Sequence, residues 1–97
     1  MYYDHWTGKY VQARRFLDNQ SKRISKLNGK RFSSNGYEYR LTYEGGFAPD
    51  ICVDYRKLGK RNFKYLHCVD VSHCWDSDEA LDKVFKEIGV PEGTPVV

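Results

Sequence analysis

From Asn62 to Trp75, large apolar or aromatic side chains alternate with smaller or charged ones. One set of alternate positions holds Phe63, Tyr65, His67, Val69, Val71 and His73, and the other holds Lys64, Leu66, Cys68, Asp70, Ser72 and Cys74. A period of two residues predicts a β-strand, because successive side chains of a strand point to opposite faces. The mixed second set suits a partly covered surface, so we expect a sheet with one buried and one open face.

Two other stretches carry apolar residues at steps of three and four, the spacing of an amphipathic helix. The first covers residues 9–27 and ends before Gly29. The second begins at Asp76, which forms a capping-box pattern with Glu79, and it ends before Gly89. Its apolar stripe consists of Ala80, Leu81, Val84, Phe85 and Ile88.

The region between the helices predicts three linked hairpins. Asn35-Gly36 is a strong signal for a two-residue turn, and it places Ser34 opposite Tyr37. The second hairpin could pair in several registers, and we favour the one that sets Leu41 against Val53. That register also opposes unlike charges, in the pairs Arg40–Asp54 and Glu38–Arg56, whereas a slip by two residues would oppose like charges.

The last hairpin must keep the apolar residues on one face, which requires an odd-length loop around Leu58 to Lys60. On the buried face this predicts the pairs Tyr55–Phe63, Val53–Tyr65 and Ile51–His67. On the open face it sets Asp54 beside Lys64 and Cys52 beside Leu66.

These elements predict an α+β fold. A four-stranded antiparallel meander would carry the N- and C-terminal helices on one face, in the order α-β-β-β-β-α. The length of 97 residues suits one domain. Residues 1–8 form an aromatic N-terminal segment, expected to pack against the domain, and residues 92–97 are expected to form a short frayed tail.

The cysteine count and the N-terminal residues bear on location. Three cysteines are an odd number, and the N-terminus has no apolar run of signal-peptide length. No segment approaches the apolar length that spans a bilayer. We therefore expect a cytoplasmic protein with reduced cysteines and no membrane contact.

The net charge of +3 is unevenly distributed. Residues 1–31 hold eight Lys or Arg against two Asp, a balance of +6, whereas residues 76–97 have a balance of −4. Such polarity favours an anionic partner for the first part of the chain.

The candidate binding residues are cations of the predicted open face, the third hairpin tip and the first helix. They are Arg31, Arg40, Arg56, Lys57, Lys60, Arg61, Lys64, Arg14 and Arg15. A tight cationic tip can follow a phosphate backbone. The alternative is that these side chains serve solubility and discourage pairing of sheet edges.

Four side chains of the kind that bind zinc lie close together in sequence: His67, Cys68, His73 and Cys74. On a strand His67 and Cys68 point to opposite faces. About 20 Å would separate His67 from His73, whereas zinc bonds are near 2 Å. We therefore predict no metal site within one chain, and a zinc-assembled dimer stays an alternative.

No catalytic motif stands out. His67 and Cys68 diverge, so they do not form a Cys–His nucleophile pair. Gly45-Gly46 lacks the strand-to-helix setting and the following Lys-Ser/Thr of a phosphate loop. We predict a protein with neither enzymatic activity nor a cofactor.

The order of one helix, several strands and a final helix resembles the double-stranded-RNA-binding domain. The pattern Ala80-Leu81-x2-Val84-Phe85 is similar to the apolar stripe of that family's last helix. The family contacts phosphates through lysines at the start of this helix, where the present chain has Asp76, Ser77, Asp78 and Glu79. The resemblance therefore transfers no site residue.

The resulting hypothesis is a binding module whose cationic tip and open face bind nucleic acid. Since the aromatic side chains are expected in the core, contact with a duplex backbone is favoured over stacking on a single strand. The alternative is a stand-alone protein that inhibits or regulates a nucleic-acid enzyme, as many phage proteins of this size do. The sequence predicts neither the partner's identity nor the oligomeric state.

Overall fold

The computed structural model describes residues 21–46 and 48–97. The segment 1–8, most of the predicted first helix, and the candidate residues Arg14 and Arg15 lie outside these ranges. Within the described part of the chain, no helix has the length and apolar character needed to cross a membrane.

Within the described residues, four strands form one antiparallel sheet: β1 (Arg31–Ser34), β2 (Tyr37–Glu44), β3 (Asp50–Lys57) and β4 (Lys64–Asp70). Their spatial order is β1-β2-β3-β4, so each strand pairs with its neighbour in sequence. A helical segment precedes the sheet and a second helix follows it. The predicted α+β meander in the order α-β-β-β-β-α is therefore confirmed.

Local sequence signals account for both helix ends. Residues 21–24 are α-helical and continue into a 3-10 turn, Ser25–Leu27, which ends at Asn28 and Gly29. The C-terminal helix, Ser77–Ile88, starts where the Asp76 carboxylate accepts a hydrogen bond from the Glu79 backbone N–H at 2.9 Å. Gly89 ends it in the left-handed conformation, with φ of 76°.

The first two hairpins have the predicted registers. Ser34 pairs with Tyr37 across the two-residue turn, and Leu41 pairs with Val53. The charged pairs are also confirmed: Arg40 is opposite Asp54, and Glu38 is opposite Arg56.

The predicted register of β3 with β4 is wrong. The structure pairs Ile51 with Val69 and Val53 with His67, and then shifts by one residue so that Asp54 pairs with Tyr65 and Tyr55 with Lys64. Leu66 is the extra residue of this β-bulge. A bulge moves the side chains beyond it to the opposite face, so Lys64 lies on the face of Tyr55 rather than beside Asp54.

The core lies between one sheet face, here called the helix face, and the helices. Phe32 stacks on Tyr39 and meets Phe85 of the C-terminal helix edge-on, each at 5.0 Å between ring centroids. The described part of the core consists of Ile24, Leu27, Phe32, Leu41, Ile51, Val53, Val69, Val71, Cys74, Ala80, Val84, Phe85 and Val90. The other sheet face, here called the open face, carries Arg40 and Asp54.

The C-terminal residues are not the frayed tail that we expected. Val97 and Arg31 exchange two backbone hydrogen bonds of 2.8 Å, and Val96 packs against the core. The tail therefore adds one rung of hydrogen bonds to the edge of β1.

A disulfide joins Cys52 of β3 to Cys68 of β4, while Cys74 is a buried thiol outside this bond. The expectation of reduced cysteines is therefore wrong for two of the three. Their pairing follows from the register, because Cys52 and Cys68 are directly opposite on the open face. Disulfides are rare in the reducing cytosol, and the cytoplasmic location stays a prediction.

Candidate functional site

The third hairpin tip spans residues 58–63, between β3 and β4. The Lys60 N–H donates to the Lys57 carbonyl at 2.9 Å, and Gly59 has a φ of +91°, which favours glycine at this turn. The Leu58 N–H donates to the Gly36 carbonyl at 3.0 Å. The tip is therefore tied to the turn between β1 and β2.

Beside the third hairpin tip lies a groove of about 460 Å³, here called the tip groove. Its lining residues are Tyr37, Tyr55, Arg56, Lys57, Lys60, Arg61, Asn62 and Lys64. Among these described residues, five are cationic and none is acidic. The structure thus brings together five of the nine candidate residues in one concave surface.

Four of these cations have no carboxylate partner within residues 21–46 and 48–97. Lys57, Lys60, Arg61 and Lys64 are exposed. None of them makes an ion pair with a carboxylate of the described residues. Arg56 differs, because its Nη2 lies 2.6 Å from Glu38 Oε1 and its Nη1 donates to the Arg61 carbonyl at 2.9 Å. The tip groove is therefore a site of concentrated positive charge.

The other candidates on the sheet, Arg31 and Arg40, are not in the tip groove. They lie with Arg56 over the ring of Phe63, with guanidinium carbons 5.3, 4.3 and 4.3 Å from the ring centroid. This arrangement, here called the Phe63 cluster, is an array of cation–π contacts on the open face. The bulge creates it, because it turns Phe63 from the predicted buried face to the open one.

Two carboxylates complete the Phe63 cluster. Asp54 Oδ2 lies 2.9 Å from Arg40 Nη2, and Glu38 Oε2 lies 3.6 Å from Arg31 Nη1, while Glu38 also binds Arg56. The arginines of the open face are therefore engaged within the protein. One position of the predicted row of cations on this face is wrong, because the residue opposite Asp54 is Tyr65 and not Lys64.

Glu38 should make the stability of the protein depend on pH in the acid range. The hydrogen bond from Arg56 lowers the pKa of the Glu38 carboxyl, and the charges of Arg56 and Arg31 act in the same direction. A lowered pKa in the folded state gives stabilisation that is complete above the ordinary glutamate pKa, about 4.3, and is lost as the pH falls through the lowered value. We expect Glu38→Gln to be less stable than the wild type at pH 7 and to show a flatter acid limb.

Urea unfolding at a series of pH values from neutral to strongly acid measures this effect. Glu92→Gln, a change of an exposed carboxylate outside the helices and strands, is the matched control and should retain the acid limb. Asp70, whose pKa is lowered mainly by a hydrogen bond from the Ser72 backbone, supplies the residual dependence. Equal acid limbs for Glu38→Gln and wild type would contradict the role assigned to Glu38.

His67, Cys68 and Cys74, three of the four residues considered as zinc ligands, lie in different environments. Cys68 is held in the disulfide, and His67 lies on the helix face with its Nε2 3.0 Å from Glu87 Oε1. Burial raises the pKa of the Cys74 thiol. No group of three or more His, Cys, Asp or Glu positioned to hold a metal ion occurs in the described ranges. The zinc-assembled dimer loses Cys68 as a ligand while the disulfide is intact.

Sequence reasoning missed the aromatic part of the site. Tyr37 is 38% exposed and Tyr65 is 65% exposed, so the expectation that the aromatic side chains are committed to the core is wrong for both. The signal for Tyr37 was its position next to the turn at Asn35-Gly36, beyond the reach of the core. No sequence signal placed Phe63 beneath three arginines, because its face depends on the bulge.

Comparison of the chain with protein-family models, with curated proteins and with solved structures gave no significant match.

Proposed function

We propose that the protein binds nucleic acid through the tip groove, where Lys57, Lys60, Arg61 and Lys64 contact backbone phosphates. The observation that carries this proposal is the concentration of exposed cations in a groove whose described lining residues include no carboxylate. Lysine offers a mobile point charge and arginine a planar pair of donors, and both suit phosphate oxygens. Solubility alone would be served equally by cations spread over the surface.

The rigidity of the site supports the same proposal. The hairpin tip that lines the groove is joined to the turn between β1 and β2 by the hydrogen bond between Leu58 and Gly36. Arg56, held by Glu38, donates to the carbonyl of Arg61 and so fixes the backbone of the tip. The cations therefore stand on a positioned backbone, which reduces the entropy lost when a polyanion binds.

Binding through four phosphate contacts should depend strongly on salt. The logarithm of the association constant is expected to fall with the logarithm of the salt concentration with a slope of roughly −3. We expect the double variant Lys57→Gln/Arg61→Gln to bind a fluorescent oligonucleotide at least tenfold more weakly than wild type and with a shallower slope. Fluorescence-anisotropy titrations over a salt series measure both quantities.

The matched control is Lys30→Gln/Lys86→Gln, which removes the same charge from exposed residues away from the tip groove. It should weaken binding far less than the groove variant. Equal losses for the two variants, or no binding by wild type at low salt, would contradict the proposal. So would a protein partner from lysate that survives nuclease treatment and is lost with the groove variant, as the inhibitor alternative requires.

A further inference from the structure

The tip groove contains aromatic rings as well as cations. Tyr37 and Tyr55 line it with ring centroids 6.0 Å apart and planes inclined by 57°. Tyr39 and Tyr43, on the same face of β2 as Tyr37, pack against the core, whereas Tyr37 and Tyr55 lie outside it. The alternate side chains of β2 and β3 that build the core therefore continue beyond it, where Tyr37 and Tyr55 form the aromatic part of the groove lining.

The strand registers interleave these rings with cations. Tyr37 is directly opposite Lys57, and Tyr55 is directly opposite Lys64. Opposite residues in a sheet share a face, so the two tyrosines and two lysines form a block on the helix face beyond the core. Lys60 and Arg61 of the tip add charge beside this block. Aromatic surface and cations therefore alternate within one groove.

This combination discriminates between forms of nucleic acid. In a duplex the base faces are stacked on each other, so a tyrosine in a protein groove meets only phosphates, sugars or base edges. In a single strand the base faces are accessible, and stacking on an aromatic side chain contributes about 1–3 kcal/mol per base for any base. A concave space of about 460 Å³ suits inserted bases far better than it suits an intact duplex.

We infer that the tip groove binds single-stranded nucleic acid in preference to duplex, with Tyr37 and Tyr55 stacking on bases while the surrounding cations contact phosphates. This inference rests on the proposed function and reverses the duplex preference that the sequence favoured. That preference depended on aromatic side chains being buried, which is wrong for Tyr37.

The test uses three fluorescent probes of equal length: a single-stranded DNA, the same strand in a duplex, and an abasic strand that has the backbone without bases. Wild type should bind the single strand at least fivefold more tightly than either other probe at the same salt concentration. Tyr37→Leu should weaken single-strand binding about tenfold and leave duplex and abasic binding unchanged. Tyr37→Phe, which keeps the ring, should bind the single strand like wild type.

Tyr65→Leu is the matched control, because Tyr65 is more exposed than Tyr37 but lies on the open face, outside the groove. It should bind all three probes like wild type. Thermal unfolding verifies that each variant is folded. Equal binding of single strand and duplex by wild type, or a Tyr37→Leu loss that is the same for every probe, would overturn the inference.

The two proposals fail in different ways. If the single-strand preference is absent but Lys57→Gln/Arg61→Gln still weakens binding of all probes, the inference fails and the proposed function stands. If wild type binds none of the probes at low salt, both fail together.

Discussion

Reduction of the Cys52–Cys68 disulfide is expected to lower the free energy of unfolding by about 3 kcal/mol. The bond closes a loop between residues 16 positions apart, and in the chain-entropy model a loop of that size contributes roughly this amount by restricting the unfolded state. For a domain near 100 residues, such a loss corresponds to a melting temperature lower by roughly 12–24 °C. Urea unfolding of oxidised and reduced protein, monitored by circular dichroism, measures the difference.

The variant Cys52→Ser/Cys68→Ser is the control for side effects of the reductant. Its free energy of unfolding should be close to that of the reduced wild type, and adding reductant should not lower that free energy further. Thiol counting after denaturation should find one thiol in the oxidised protein, from Cys74, and three after reduction. Three thiols without reductant, or equal stability of the oxidised and reduced forms, would contradict the expectation.

The pairings of β3 with its two neighbours show where the sequence allowed a prediction and where it did not. The register of β2 with β3 could be predicted, because opposite charges at Arg40 and Asp54 distinguished it from its competitors. The register of β3 with β4 could not be predicted, because Leu66 is an extra residue that interrupts the alternation of a regular strand. Opposing Cys52 with Cys68 would have selected the observed pairing on the core side of the bulge. The odd number of cysteines had instead favoured reduced thiols over a disulfide.

One inserted residue therefore accounts for most of the corrections to the site. Beyond the bulge, Lys64 moves to the face that carries the tip groove, and Phe63 moves to the face that carries the arginines. The five groove cations could be predicted from composition, since they are concentrated at one hairpin tip. Which of these cations remain available to a ligand could not be predicted from composition. That depends on the positions of the Glu38 and Asp54 carboxylates and of the Phe63 ring, which the tertiary structure determines.

The open face and the tip groove therefore have different roles. On the open face, Glu38 and Asp54 hold the guanidinium groups in place and leave little net charge for a ligand. In the tip groove, by contrast, Lys57, Lys60, Arg61 and Lys64 have no carboxylate among the described lining residues. The Phe63 cluster is thus a structural support for the tip, and Arg56 connects it to the groove through the carbonyl of Arg61.

Phe63→Ala is therefore expected to lower the free energy of unfolding by about 2–3 kcal/mol, a large effect for a half-buried residue. Three cation–π contacts at exposed sites contribute roughly 0.5–1 kcal/mol each, and the ring also buries apolar surface. Phe63→Leu keeps apolar volume without the aromatic face and should recover part of this loss. Tyr65→Ala removes a more exposed ring, over which no guanidinium of the described residues lies, and should cost less than 1 kcal/mol. Urea unfolding of the three variants would contradict the support role if Phe63→Ala and Tyr65→Ala were equally stable.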